Sequence, residues 1–358
     1  MHMNFFREQI VRLKSYEPGR QPLRPLVKLN ANENPYPPSP RVLQALAALG
    51  GDAVRLYPDA ASRVLRETAA RSFGVSPGQV VAGNGSDDIL TMIVRSFLDL
   101  GDRIAVTDPT YTLYETLAAI QGAETMTHPL EDDWSLPESF FGADAKVTFL
   151  PRPNAQTGTL FPASAVRRLC DTARGIVVVD EAYAPFTGTT VVPLVNEYPH
   201  LIVLRTLSKS HGLAGLRIGF GIGNAEVIAG MTKVKDSYNV SAAGHAAGIA
   251  ALEDTAYTEK TIAAIVSTRT TFAADLAARG WRVVPSAANF ILATPPAPGA
   301  AALMDVLERD GFLVRRFDTA RLRHMLRISV GTADQMRGVL ASIDRGCAAA
   351  SSRPGTGG

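Results

Sequence analysis

The residues with the strongest claim to chemistry in this 358-residue chain stand at the ends of short apolar runs. Lys209 follows Leu201-Ile202-Val203-Leu204-Arg205-Thr206-Leu207-Ser208, and Arg217 stands eight residues beyond it. A lysine amine that is partly neutral can attack a carbonyl carbon and form a Schiff base, and a neighbouring cation in a half-buried site favours the neutral form. Asp180 ends the run Val177-Val178-Val179 and is followed by Glu181-Ala182-Tyr183. A carboxylate placed straight after a buried run is costly to ionise unless it meets a positive partner. A protonated pyridine nitrogen is one such partner and a metal ion is another. Gly83-Asn84-Gly85-Ser86-Asp87-Asp88 separates a β-rich run from a helical one. Glycines there let the backbone approach an anion, and the helix start offers free N–H groups. A tight turn with a serine or aspartate N-cap uses the same residue types. Ser208 and Arg217 add a hydroxyl and a planar fork for phosphate oxygens. Arg327 lies inside Met325-Leu326-Arg327-Ile328-Ser329 and needs an anion, either a substrate carboxylate or a structural acid.

These residues need a scaffold that brings strand ends together. From about residue 80 to 222, β-rich runs (80–82, 103–107, 146–150, 176–179, 201–204 and 217–222) alternate with helix-length segments. Between the first two runs, Ile89, Leu90, Ile93, Val94, Phe97 and Leu98 recur at helical spacing, and Gly101 ends that stretch. Runs that are apolar on both faces and alternate with helices predict a mostly parallel sheet covered on both sides, an α/β architecture whose ligands bind at the carboxyl ends of the strands. Residues 224 to 280 read as long helices. Trp281 to Phe290, Gly311 to Phe317 and Leu326 to Val330 read as further strands, with a helix near 300–310, which makes a smaller α+β domain. The expected organisation is an irregular, proline-rich arm over 1–40, a large domain over 41–245, a small domain over 246–347 and a flexible tail over 348–358.

Composition narrows the function classes. With 46% hydrophobic and 20% charged residues, the chain is an ordinary globular one, long enough for a large core and a second lobe. Its net charge of +2 and lack of a dense basic run argue against a nucleic-acid partner. Cys170 and Cys347 are the only cysteines, so a disulfide framework or Cys-x-x-Cys zinc pair is not expected and a reducing cytoplasm fits. No stretch reaches the ~18 apolar residues of a membrane helix, and Arg7, Glu8, Arg12 and Lys14 break up the first apolar residues, so a signal peptide is not expected. The six histidines never fall three or four residues apart, so no helical metal site is expected. Asp88 occupies the third glycine position of a dinucleotide fingerprint, and a Gly-x-x-x-x-Gly-Lys-Ser/Thr loop is missing, which disfavours nucleotide chemistry.

Taken together, Lys28-Leu29-Asn30-Ala31-Asn32-Glu33-Asn34-Pro35, Asp108-Pro109-Thr110-Tyr111, Arg205-Thr206-Leu207-Ser208-Lys209, Gly212 to Gly219 and Leu326-Arg327-Ile328-Ser329 resemble the histidinol-phosphate aminotransferase group of fold type I, the aspartate-aminotransferase-like enzymes. The resemblance spans nearly the whole chain. It implies pyridoxal 5′-phosphate as cofactor, held by Lys209 as a Schiff base, with Asp180 on the ring nitrogen, Tyr183 on the ring hydroxyl and Tyr111 stacked on the ring. Ser86, Asp87, Thr206, Ser208 and Arg217 would surround the cofactor phosphate, joined by Tyr57 of a second subunit in a homodimer with shared sites. Arg327 would anchor the substrate, Tyr16 and Arg315 its distal phosphate, and Asn32, Tyr238 and Asn239 would line the pocket. Relatives usually carry Pro-Asn-Asn-Pro-Thr-Gly where this chain has Pro153-Asn154-Ala155-Gln156-Thr157-Gly158, so either Asn154 supplies the missing ring-hydroxyl bond or that bond is absent. The implied reaction is ping-pong transamination from histidinol phosphate to 2-oxoglutarate. An aromatic amino-acid aminotransferase, a threonine-phosphate decarboxylase and a cofactor-sensing regulator domain are the alternatives. The stretch before the Asn30 segment is short enough that a DNA-binding module is not expected there.

Overall fold

The computed structural model describes residues 5–13, 19–21 and 25–351. Its strands are β1 (Val27–Lys28), β2 (Val80–Asn84), β3 (Arg103–Asp108), β4 (Glu124–Pro129), β5 (Val147–Pro151), β6 (Ile176–Asp180), β7 (Leu201–Thr206), β8 (Ile218–Gly223), β9 (Arg282–Val283), β10 (Phe290–Thr294), β11 (Phe312–Leu313) and β12 (Leu326–Ser329). Seven of them form one sheet in the order β2-β8-β7-β6-β5-β3-β4. Only β8 runs against its neighbours; the β3–β4, β3–β5, β5–β6 and β6–β7 pairs are parallel.

Side chains alternate across a strand, and the alternation here divides one sheet between two apolar layers. Val177, Val179, Leu201 and Val203 face one layer, which helices Arg63–Phe73 and Ala163–Thr172 cover with Leu65, Ala69, Val166 and Leu169. Val178, Ile202 and Leu204 face the other, under helix Ser86–Phe97 and its Ile89, Leu90, Ile93 and Val94. With helices on both faces, the strand ends are left as an open approach to the sheet, and the candidate residues stand there.

A second unit is built around the β12-β10-β9 antiparallel sheet, packed against helices Thr255–Ala278, Ala300–Arg309 and Ala333–Ser351 through Phe272, Leu276, Leu303, Leu307, Val339 and Ile343. The N-terminal segment joins this unit, since β1 pairs in parallel with β11.

The elements differ from the sequence expectations at several places, among them helix Glu8–Arg12 and β1 in the arm expected to be irregular and a β11 of two residues where a strand over 311–317 was expected. β4 was not anticipated, because it is an edge strand whose residues are mostly exposed and lack an apolar run. The expected strand over Trp281 to Phe290 is two strands, β9 and β10, separated by the loop around Pro285. Helix Ala242–Glu253 crosses the expected boundary at 245/246, and its Ala247, Ala251 and Leu252 are buried in the layer of the large sheet. The C-terminal helix continues to Ser351, past the expected start of the tail at 348. No helix among the described residues is long and apolar enough to cross a membrane.

Candidate active site

Asp180 at the end of β6, Thr206 at the end of β7, the loop after β2 and Arg217 just before β8 all reach the same edge of the large sheet. They line one cavity with Asn32, Ser86, Asp87, Tyr111, Tyr183, Ser208, Lys209, Arg315 and Arg327. The second unit contributes Arg315, Phe317 and Arg327, and the N-terminal segment contributes Gly19, Asn30, Ala31 and Asn32.

On one side the cavity is built to take an anion. Helix Ser86–Phe97 starts at Gly85 without a side-chain cap, so its first-turn N–H groups are available to a ligand. Gly85 has φ +84°, and a Cβ there would collide with the Arg217 guanidinium. A Cβ on Gly219 would overlap the Gly85–Ser86 peptide. These two glycines therefore allow the loop, β8 and Arg217 to meet. Arg217 donates to Asp87 at 2.9 Å, and both side chains are about two-fifths exposed, so the guanidinium keeps a face toward the cavity. Thr206 Oγ1 accepts the Ser208 N–H at 3.2 Å and fixes the short helical turn that carries Lys209.

Lys209 Nζ donates to the Ala31 carbonyl at 3.1 Å, and the turn beneath it is tied down by Asn34, whose Nδ2 donates to the Lys209 and Ser210 carbonyls. Asp180 is 6% exposed. Burial pushes its carboxyl up to about 6, against the opposing effect of the Tyr114 hydroxyl and the Ala182 N–H that donate to it; the Asp87 charge adds to the rise and the Lys209 charge counters it. Tyr183 accepts from Asn32 Nδ2 at 2.9 Å. Asn32 is itself held by Ser329 Oγ, which donates to its side-chain oxygen at 3.1 Å, and by Asn289, which donates to its carbonyl. Arg327 donates to the carbonyls of Ala155 and Asn30, with Phe290 and Phe317 packed about its guanidinium.

Asn154, Tyr57, Tyr238 and Asn239 stand apart from this group. Asn154 is fully buried and does not line the cavity: its oxygen accepts from Gln156 and Thr157 N–H, and its Nδ2 donates to the Pro109 carbonyl. It shapes the loop, and Ala155 is what faces the cavity. Tyr238 stacks on Tyr57 at 4.3 Å, and both rings lie on the surface outside the cavity of their own chain. Tyr16 lies outside the described residues. Asn239 serves the scaffold, donating to Asp88 and to the Ala82 carbonyl. The sequence reading missed Tyr114, whose hydroxyl donates to Asp180 at 2.8 Å, and Gln156 and Phe317, which line the cavity. The signal for Tyr114 was its position one helical turn beyond Tyr111.

A lysine, an acid and an anion-ready loop thus meet at the strand ends of a mostly parallel seven-stranded sheet, and likeness to solved structures places that sheet in the class of the fold type I aminotransferases. The structure aligns with that of histidinol-phosphate aminotransferase from Sinorhizobium meliloti in complex with pyridoxal 5′-phosphate, at a TM-score of 0.89 and 27% identity, covering 97% of this chain and 98% of the other. The fold also matches Thermus thermophilus aspartate aminotransferase with maleate, at a TM-score of 0.82 and 21% identity over 96% of this chain and 100% of that one. The chain belongs to the aminotransferase class I and II family, whose model matches residues 24–343. Histidinol-phosphate aminotransferase of Geotalea uraniireducens is 44% identical over 342 residues, covering 94% of this chain and 98% of that protein. The enzyme of the same name from Syntrophotalea carbinolica is 43% identical over 346 residues, 95% of this chain and 99% of its own.

Proposed function

We propose that the protein is a pyridoxal 5′-phosphate-dependent histidinol-phosphate aminotransferase that passes the amino group to 2-oxoglutarate in a ping-pong cycle, working as a cytoplasmic homodimer. The observation that carries the reading is the meeting of Lys209, Asp180 and Arg217 around one cavity. The substrate rests on relatives named for that reaction over nearly their whole length.

The residues present fit the cofactor. Asp180 is a buried acid suited to a cationic ring nitrogen, and the close approach at Gly85 and Gly219 leaves N–H groups and Arg217 for a phosphate. When bound, pyridoxal phosphate supplies a carbonyl that condenses with amines and a protonated ring that withdraws electrons from the donor's α-carbon. Lys209 Nζ is the base on hand to take the proton from that carbon and return it. Asp180 keeps the ring nitrogen protonated. Tyr183, already accepting from Asn32, has its own O–H left to donate to the ring hydroxyl. With Ala155 lining the cavity and Asn154 committed to its loop, neither side chain would supply a second partner for that hydroxyl. Arg327 anchors a carboxylate of the acceptor, and Arg315 with Tyr16 receives the donor's distal phosphate.

What supports the dimer is Tyr57, which is 80% exposed in a stretch of sequence whose Val54, Leu56 and Val64 are all more than half exposed. Solvent is a poor resting place for such a group, and a second copy covering it is the arrangement in which Tyr57 would serve its partner's phosphate cradle, as the family resemblance implies. Mixing the holoenzyme separately with histidinol phosphate, phenylalanine, tyrosine and glutamate, and following the loss of near-visible absorbance, tests the substrate. Histidinol phosphate should react fastest. A faster aromatic donor would make this an aromatic aminotransferase, and carbon dioxide release from threonine phosphate would make it a lyase.

A further inference from the structure

Tyr114 has no role in the family pattern described above, yet it is the side chain most intimately joined to Asp180. It sits on helix Leu113–Gln121, three residues after Tyr111, and its side chain is 0% exposed. Its ring stacks on Phe149 of β5, with centroids 4.7 Å apart and planes 9° from parallel, and meets the edge of Tyr111 at 5.5 Å. A buried phenol needs a partner for its hydroxyl. The partner here is Asp180 Oδ2 at 2.8 Å, while Asp180 Oδ1 accepts the Ala182 N–H at 3.0 Å.

We propose that Tyr114 is a positioning residue for the reaction, its hydroxyl gripping Asp180 from beneath so that the carboxylate is aimed and charged when the ring nitrogen arrives; this rests on the cofactor reading given above. A single turn then supplies two functions: Tyr111 lines the cavity with its ring, and Tyr114, one turn on, reaches below the sheet edge to the acid.

The electrostatics are consistent with this geometry. Asp180 has burial and the Asp87 charge working against ionisation, and the Tyr114 O–H, the Ala182 N–H and the Lys209 charge working for it. Tyr111 and Tyr183 are the other titratable groups that face the pair. Burial and the Asp180 charge hold the Tyr114 phenol well above its ordinary value, so it remains a donor throughout the working range. Removing its oxygen leaves one carboxylate oxygen buried without that donor and moves Asp180 further toward the protonated form.

Tyr114→Phe tests the proposal, because it keeps the ring on Phe149 and removes only the hydroxyl. Phe149→Leu is the companion variant, disturbing the stack and leaving the hydroxyl. The readouts are the dissociation constant of pyridoxal phosphate from pH 5 to 9, the thermal midpoint without cofactor, and the split of any activity loss between kcat and KM. Tyr114→Phe should bind the cofactor about tenfold more weakly near neutrality. The acid limb of its binding profile should move to higher pH, and its activity loss should fall on kcat. Phe149→Leu should lower the thermal midpoint and keep the wild-type pH profile. A folded Tyr114→Phe protein with wild-type affinity and pH profile would overturn the proposal, as would a Phe149→Leu profile shifted like that of Tyr114→Phe, which would mark a packing role. Should Tyr114→Phe not fold, the Phe149→Leu profile alone decides, unchanged in support and shifted in refutation. If wild-type protein bound no cofactor at all, the fault would lie in the functional reading and not in Tyr114.

Discussion

Glu181 stands next to Asp180 and is 0% exposed, and four donors converge on its carboxylate. Oε1 accepts from Val191 N at 2.7 Å and Arg152 Nη1 at 3.3 Å; Oε2 accepts from Arg205 Nη1 at 2.9 Å and Thr190 Oγ1 at 2.5 Å. Arg152 is as buried as the acid, with 3% of its side chain exposed, and Arg205 shows 17%. In Glu181→Gln the amide nitrogen must face at least one N–H donor, since only the Thr190 hydroxyl can reverse its role, and both guanidiniums lose their counter-charge. Removing one partner of a buried pair costs about 3–5 kcal/mol. With roughly 2.1 cal/mol/K of unfolding entropy per residue, a chain of this length should lose roughly 4–7 °C in Tm. Arg205 directly precedes Thr206, whose oxygen positions the Lys209 turn, so cofactor affinity should fall as well. The assay is thermal unfolding by circular dichroism, with and without cofactor. The control is Glu138→Gln, which breaks an exposed pair with Arg168 and should leave Tm in place. A Glu181→Gln protein as stable as that control would refute the claim that this network fastens the edge of the sheet.

Three further outcomes follow from the same geometry. Arg217→Ala should weaken cofactor binding by about tenfold to a hundredfold, and Arg217→Lys by less, because a charge-assisted fork contributes roughly 1.5–3 kcal/mol before its partial exposure is discounted; titration of cofactor fluorescence reads the difference. His211, bonded to Ser210 Oγ at 2.8 Å, has its imidazole lowered to about 4 by burial, with the Arg205 charge adding to the effect. Since its folded value lies below the ordinary 6.5, the unfolded chain takes the proton first; the stability this neutral histidine contributes is present above pH 6.5 and is lost as pH falls toward 4, so His211→Gln should flatten that part of the stability profile measured by urea unfolding. Ser329→Ala releases the Asn32 carboxamide that donates to Tyr183, and should lower kcat by about tenfold with little change in KM under steady-state assay.

Much of this site was legible because parallel-sheet physics puts function at strand ends. The apolar run 177–179 located Asp180, and the run 201–204 located Lys209, since a chain that leaves a buried strand with polar residues places them at the open edge. What was not legible depended on contacts between distant segments. Tyr114 reads as one more apolar position on an amphipathic helix, and only the fold shows its hydroxyl meeting a residue 66 positions away. Whether Asn154 could stand in for the asparagine replaced by Ala155 was equally illegible, because only the fold shows its carboxamide taken up by the turn it stabilises. β4 escaped because an edge strand exposed to solvent has no need of an apolar run.

The whole reading turns on Lys209 as the residue that joins the cofactor. Reducing the holoenzyme with borohydride, digesting it and locating the added mass by peptide sequencing in a mass spectrometer shows which lysine that is. A pyridoxyl group is expected on Lys209 Nζ and on no other lysine; modification of a different lysine, or of none, would overturn the assignment.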